Sequence, residues 1–172
     1  PAGTSPVGPF DLELGTLTHS SPEPHAVVIR TAAGAVLHTG DWKLDPTPLV
    51  GDNYDEQRLK ALAEEGVLAM IGDSTNALVT GEAGSESEVR AHLMKVIGGL
   101  RNRVAVACFA SNVARLETVI RVAEDCGRRV CLLGRSMHRI VECARESGYL
   151  EGHQPFLSEE EVDYLPRDEV LL

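Results

Sequence analysis

Hydrophobic and polar positions change rhythm along this chain. Over the first 40 residues they alternate in twos. Phe10-Asp11-Leu12-Glu13-Leu14 sets apolar against acidic at every step, the period of a half-buried strand. Residues 26–31 and 35–38 read as two further strands joined at Ala33-Gly34, a hairpin. From about residue 55 the pattern lengthens to alternating helices and strands. Residues 55–65 predict a helix and 67–71 a buried strand. A helix over 85–96 opens on Ser85-Glu86-Ser87-Glu88, which has capping-box spacing. A strand over 104–109 leads to a helix capped by Ser111 or Asn112 and running to about Cys126. A strand over 129–133 leads to a helix that Ser136 caps, ending near Glu146. Strands and helices in that alternation predict an α/β fold whose parallel sheet is covered on both faces.

Two styles therefore share one chain. Residues 1–50 form an antiparallel hairpin segment, residues 51–150 an α/β domain, and residues 151–172 an acidic tail or truncated edge. The stretch Pro46-Thr47-Pro48 with Gly51-Asp52-Asn53 marks the seam.

The 172 residues are enough to bury a core, and 43% are hydrophobic, so the chain is neither disordered nor low-complexity. No apolar run approaches the roughly 20 residues that span a bilayer. The stretch Pro1–Pro6 has neither a basic start nor an apolar core, so no signal peptide is expected there. The four cysteines, Cys108, Cys126, Cys131 and Cys143, include no Cys-x-x-Cys pair and read as reduced thiols, consistent with a cytoplasmic protein.

A net charge of −10 argues at first against nucleic acid. Its distribution changes that reading. Residues 1–100 carry a net −8 and residues 146–172 a net −7, but residues 101–145 hold nine Arg, no Lys and a net +5. Arginine's planar fork suits bidentate phosphate contact, while solvated helix faces would use the same residues.

Ligand sites in open α/β sheets form beyond the carboxyl ends of strands. Asp73-Ser74-Thr75-Asn76, Ser111-Asn112 and Gly134-Arg135-Ser136 each follow a predicted strand. Hydroxyls, amides, helix N-termini and an arginine at one sheet edge suit a phosphate; ordinary helix capping would explain each of them singly. His19 at one strand end and Asp41 just past another could converge on a metal, although two donors alone bind weakly.

The order and spacing of short blocks go further. Thr18-His19-Ser20, then Thr39-Gly40-Asp41-Trp42-Lys43 with Asp41 22 residues beyond His19, then Asp45-Pro46-Thr47-Pro48, form the first part. Gly72-Asp73-Ser74-Thr75-Asn76-Ala77, Phe109-Ala110-Ser111-Asn112 with Arg115, and Gly134-Arg135-Ser136-Met137 complete it. Together they resemble the metallo-β-lactamase-fold nucleases of the ribonuclease J type, in the β-CASP group, from about residue 8 to residue 150.

The resemblance implies a zinc-dependent ribonuclease, endonucleolytic, 5′-exonucleolytic or both, with two zinc ions in the intact protein. His19 and Asp41 would be metal ligands, Asp41 bridging the ions. Asp41 and Asp73 would serve catalysis, Asp73 in support. Ser74, Ser111, Asn112, Arg135 and Ser136 would face RNA. His38, although beside the aspartate motif, is not among the family's ligands. The family's principal His-x-His-x-Asp-His motif is absent, since no two of the six histidines lie two apart. The chain thus reads as part of such a protein, with an incomplete zinc site and no activity of its own. RNA is the expected partner, with no membrane contact and a homo-oligomer left open. A hydrolase of the same fold acting on DNA or a small molecule, or a non-catalytic RNA- or nucleotide-binding α/β module, are the alternatives. The lack of Gly-x-Gly-x-x-Gly or Walker-type loops counts against a nucleotide cofactor.

Overall fold

The computed structural model describes residues 4–172; the Pro1–Gly3 part of the stretch read for a targeting signal lies outside them. The fold is mixed α/β, with four α-helices among the described residues, and it divides into two compact units, one ending at Ser85 and the other starting at Glu86. Among the described residues no helix is long and apolar enough to cross a membrane.

The first unit is a five-stranded sheet in chain order: β1 (Thr4–Val7), β2 (Phe10–Thr16), β3 (His25–Thr31), β4 (Gly34–His38) and β5 (Ala69–Ile71). Strands β1 to β4 pair antiparallel. The β3–β4 turn falls on Ala32-Ala33, and Gly34 closes it at φ +137°, a backbone conformation that disfavours other residues. Helix α1 (Glu56–Glu65) starts where Asp55 accepts the Arg58 N–H at 2.8 Å. It packs Leu62 on Val28 and Ala35, with Leu37 and Val67 alongside.

Two expectations change here. The predicted strand near residue 70 joins this antiparallel sheet instead of opening a separate one, because β5 pairs parallel to β4. It is also exposed rather than buried, with Met70 and Ile71 more than half accessible, because α1 packs on Val28 and Ala35 and leaves this edge strand uncovered. In β2 the alternation has the expected period, but the buried member is Glu13, at 6% exposure, while Leu14 stands at 47%. Glu13 shares its sheet face with Val28, the face under α1. Arg58 donates to both Glu13 oxygens, Arg30 Nη1 donates to Oε2 at 2.7 Å, and Arg30 also forks onto Glu65 at 2.5 and 2.8 Å. The apolar side chains of β2 are left on the opposite face.

The second unit holds α2 (Glu86–Gly98), α3 (Val113–Asp125), β6 (Arg129–Val130), α4 (Arg135–Glu146), 3-10 turns at Glu161–Tyr164 and Arg167–Glu169, and β7 (Val170–Leu171). Helix α3 buries Val113, Ala114, Leu116, Val119, Ile120, Val122 and Ala123, the core stripe of an amphipathic helix. Residues 151–172 read in the sequence as an acidic tail or truncated edge; in the structure they include β7, which is completely buried and pairs in parallel with β6. On its other side Val104 N–H donates to Val170 O at 3.4 Å and Val104 O accepts the Leu172 N–H at 2.8 Å, while Val106 N–H donates to Leu172 O at 2.9 Å. Leu157 bridges Cys131 beyond β6. The last residues are therefore the inner line of a small parallel ladder. Their text looked like a tail because acids surround a two-residue strand. Residues 104–109, expected as a full strand, run extended with bonds only around Val104 and Val106.

Arg128 fastens this unit. It is 3% exposed and donates to the carbonyls of Leu100 (2.6 Å), Asn102 (3.0 Å) and Val170 (3.3 Å), tying the end of α2, the following loop and β7 together.

Two outcomes follow. Among its causes, the side-chain bond from Arg58 comes first in holding the Glu13 carboxyl at about 2, against an ordinary 4.5. A folded value below the unfolded one means stability present above pH 4.5 and lost as pH falls toward 2. Glu13→Gln should cost up to about 3 kcal/mol at pH 7 in urea unfolding, with the gap closing as pH falls through that window. A pH-independent difference would refute the linkage. Arg128→Met should cost about 2–3 kcal/mol by removing the donor to the Leu100 and Asn102 carbonyls and one of two donors to Val170 O, and Arg128→Lys, lacking the fork, should recover little; full recovery would assign the role to charge alone.

Candidate functional site

Strand ends and loop clamps in the first unit gather three of the named residues. β2 ends, β3 begins, and the parallel strands β4 and β5 both end at the same end of the sheet. His19 follows β2, Asp41 follows β4 and Asp73 follows β5. The His19 loop is closed by Leu17 N–H on Pro24 O at 2.9 Å. Thr18 lies antiparallel to Lys43, whose N–H donates to Thr18 O at 2.8 Å, so the segment holding His19 runs beside the one holding Asp41. The Thr18 hydroxyl donates to Lys43 O and accepts the Asp45 N–H at 2.8 Å.

The other side of the Asp41 turn is tied to β5. Buried Thr39 donates its N–H to Ile71 O at 2.9 Å. Gly72 lets the two strand ends approach, since a Cβ there would meet Thr39 Oγ1 at 3.0 Å. Gly40, at φ +62°, makes the turn that presents Asp41. Trp42 Nε1 donates to the Asp73 carbonyl at 3.4 Å. His38 Nδ1 accepts the Gly40 N–H at 3.1 Å, a structural role within the turn.

His19 is half-buried, with Ser20 Oγ 3.2 Å from its Nδ1. Asp41 and Asp73 are exposed. Asp73 accepts from the Thr75 hydroxyl and, at 2.8 Å, from the Thr75 N–H. Those two bonds, the hydroxyl first, hold its carboxyl below the ordinary range, and the charge of His19 adds to them. Asp73 is therefore an anion and an acceptor at neutral pH, not a proton donor. Imidazole and carboxylate are ordinary zinc donors. Among the described residues, however, no three His, Cys, Asp or Glu side chains group closely enough to hold an ion.

The remaining named residues divide. Ser74 follows Asp73 into an exposed turn, where its carbonyl accepts the Ala77 N–H at 3.0 Å; no helix begins there. In the second unit, Ser111-Asn112 and Arg135-Ser136 both lie past the carboxyl ends of the parallel ladder. Asn112 is the α3 cap, accepting the Arg115 N–H at 2.8 Å. Ser136 is not a cap: Gly134 holds that position, at φ +90°, and leaves the Ser136 hydroxyl exposed with Ser111 and Arg135. Much of the arginine band works internally. Arg115 forks onto Glu86 at 2.9 and 3.0 Å, Arg121 lies 3.7 Å from Glu117, Arg103 donates to Val162 O, and Arg145 stacks on Phe156 at 4.9 Å. Arg135 and Arg139, four residues apart on α4, face solvent.

The Thr18 clamp and the Gly72 approach escaped the sequence reading; their only trace there is membership of the motif blocks. Thr18→Val keeps the shape and deletes both hydroxyl bonds, one to a buried amide. It should cost about 1–3 kcal/mol in thermal or urea unfolding; an unchanged midpoint would show the clamp to be dispensable.

Comparison with known proteins agrees with the blocks. The family model "Ribonuclease J, beta-CASP domain" matches residues 101–172. The chain is 50% identical over 166 residues to Ribonuclease J of Sinorhizobium meliloti and 44% identical over 163 residues to Ribonuclease J of Thermus thermophilus. These alignments take in 96% and 95% of this chain but 29% and 28% of those proteins. The crystal structure of a protein of unknown function from Enterococcus faecalis is similar in fold, with a TM-score of 0.62 at 17% identity, over 99% of this chain and 43% of that one. The chain spans less than a third of the curated relatives it matches; over that span it is similar to the ribonuclease J family, and residues 101–172 match that family's β-CASP domain.

Proposed function

We propose that this chain is the part of a metal-dependent ribonuclease that supplies one side of the hydrolytic centre and one edge of the RNA path. One observation carries the reading: the register that brings the His19, Asp41 and Asp73 loops to one end of one sheet. His19 and Asp41 are the zinc donors in this proposal, and the remaining donors come from elsewhere in the complete polypeptide. Zinc would supply a water activated at neutral pH and charge stabilisation for the phosphoryl group.

The chain's own residues have distinct parts. Asp41 presents its carboxylate from a glycine-made turn, at the end of a strand held on both sides. Asp73 keeps its negative charge at the same sheet end as His19 and Asp41, adding to the negative potential that a cation would meet there. Arg135, Ser111 and Ser136 offer a charged fork and two hydroxyls at the ladder's carboxyl edge, donors suited to backbone phosphate. Asn112 spends its side-chain oxygen on capping α3, so its part in RNA contact is its placement of that helix N-terminus.

In the complete polypeptide, Asp41→Asn and His19→Ala should each lower RNA hydrolysis by more than the roughly 10–100-fold typical of residues that only support a ligand, with matching loss of bound metal. Asp73→Asn should fall within that range and keep its metal. Turnover of labelled RNA and metal content measured on the same preparations decide it. An Asp41→Asn protein with full metal and full turnover would sink the assignment.

A further inference from the structure

Phe109 is 85% exposed, an unusual place for a phenylalanine. The segment leading to it explains how it stands clear. Val104 and Val106 bond to the chain at β7, and over residues 104–109 exposure alternates: Val104, Val106 and Cys108 are half-buried, while Ala105, Ala107 and Phe109 are exposed. The two alanines give the ring nothing to lie against. The backbone under it is nevertheless fixed. Asn112 N–H donates to Phe109 O at 3.0 Å, and Asn112 in turn caps α3, so the ring is mounted on a turn locked to a helix.

Its neighbours at this edge are polar. Ser111 is exposed two residues on. Arg135 and Ser136 begin α4 just past β6, which lies on the other side of β7. Two strand spacings, about 9.5 Å, separate the two strand ends. A nucleotide unit offers a flat base and a phosphate on a comparable scale. Unpaired RNA is held by such pairing of an aromatic face with cations and hydroxyls, whereas a duplex keeps its bases stacked inside. Arg135 and Arg139, which face solvent on α4, favour the same occupant over a basic protein surface.

We propose that Phe109 is a base-stacking residue, whose exposed ring receives one base of an unpaired strand at this edge. The inference rests on the ribonuclease reading above and deepens it. The ring face takes one nucleobase while the Arg135 side of the edge takes backbone phosphate, so the strand enters with at least one base unstacked from its neighbours.

The test uses the complete polypeptide with a single-stranded oligoribonucleotide and with copies carrying one abasic ribose at successive positions. Phe109→Ala should weaken RNA binding roughly tenfold, with the loss falling on KM more than on kcat. Phe109→Tyr should hold wild-type affinity, and Phe109→Leu should fall with Phe109→Ala. In wild type, one abasic position should reproduce the tenfold loss, and in Phe109→Ala that position should cost nothing more. A Phe109→Leu protein that binds like wild type would make the side chain a packing residue and overturn the proposal. So would a Phe109→Ala protein that loses nothing on intact RNA, or one that still pays the full abasic loss at every position. Failure of the underlying reading is distinguishable, since wild type would then neither bind nor cleave RNA.

Discussion

The parallel pairing of β5 with β4 is the constraint on which the candidate chemistry depends. Antiparallel strands would put Asp41 and Asp73 at opposite ends of the pair; parallel ones put both at the same end. A parallel neighbour needs a crossover, and residues 39–68, with α1 in their middle, provide it. The helix then has to be held on the sheet, and Glu13, Arg30, Arg58 and Glu65 join β2, β3 and α1 from the same face. The ion-pair layer and the candidate metal donors are thus linked through the backbone, although no side chain belongs to both.

The second unit solves a similar problem with less regular structure. Strands of two residues offer few ladder bonds, so the parallel core around Val170 and Leu171 relies on apolar packing from Cys131, Leu157 and Val162 and on Arg128. A guanidinium surrounded by carbonyls is well matched there. Its five N–H groups can serve several segments at once, which a lysine cannot do from one point. Net positive charge in the stretch 101–145 therefore overstates what is available to a phosphate, because Arg128 and Arg115 are committed inside and Arg135 and Arg139 are not.

What the sequence made legible follows from how local each determinant is. Helices α1, α3 and α4 lie close to where period and capping placed them, because both are properties of neighbouring residues. Of the two caps offered for α3, Ser111 and Asn112, Asn112 is the one that caps it. Pairing partners are not local. Nothing in Ala69-Met70-Ile71 says that it joins β4, and an apolar strand read as buried turns out to be an exposed edge. Glu13 misleads in the same way, since its burial depends on arginines 17 and 45 residues away. The strand Val170–Leu171 was not legible for want of length: two buried residues among acids carry no period. The candidate site residues could be read from strand ends and from ordered blocks, and the gathering of His19, Asp41 and Asp73 at one sheet end depends on pairings that neither contains.

The blocks also separate residues that hold structure from residues left to face a ligand. Thr18, Thr39, Gly40 and Gly72 spend their groups on neighbouring backbone or on close approach, and they lie beside His19, Asp41 and Asp73 in the chain. Asn112 does the same beside Phe109 and Ser111. In each block a satisfied residue fixes the backbone, and its neighbour is thereby held in position at little further entropic cost. This arrangement suits a site completed by other parts of a longer polypeptide. Donors that must meet partners from elsewhere gain most from being placed in advance, since each would otherwise lose its own rotational freedom when the site closes.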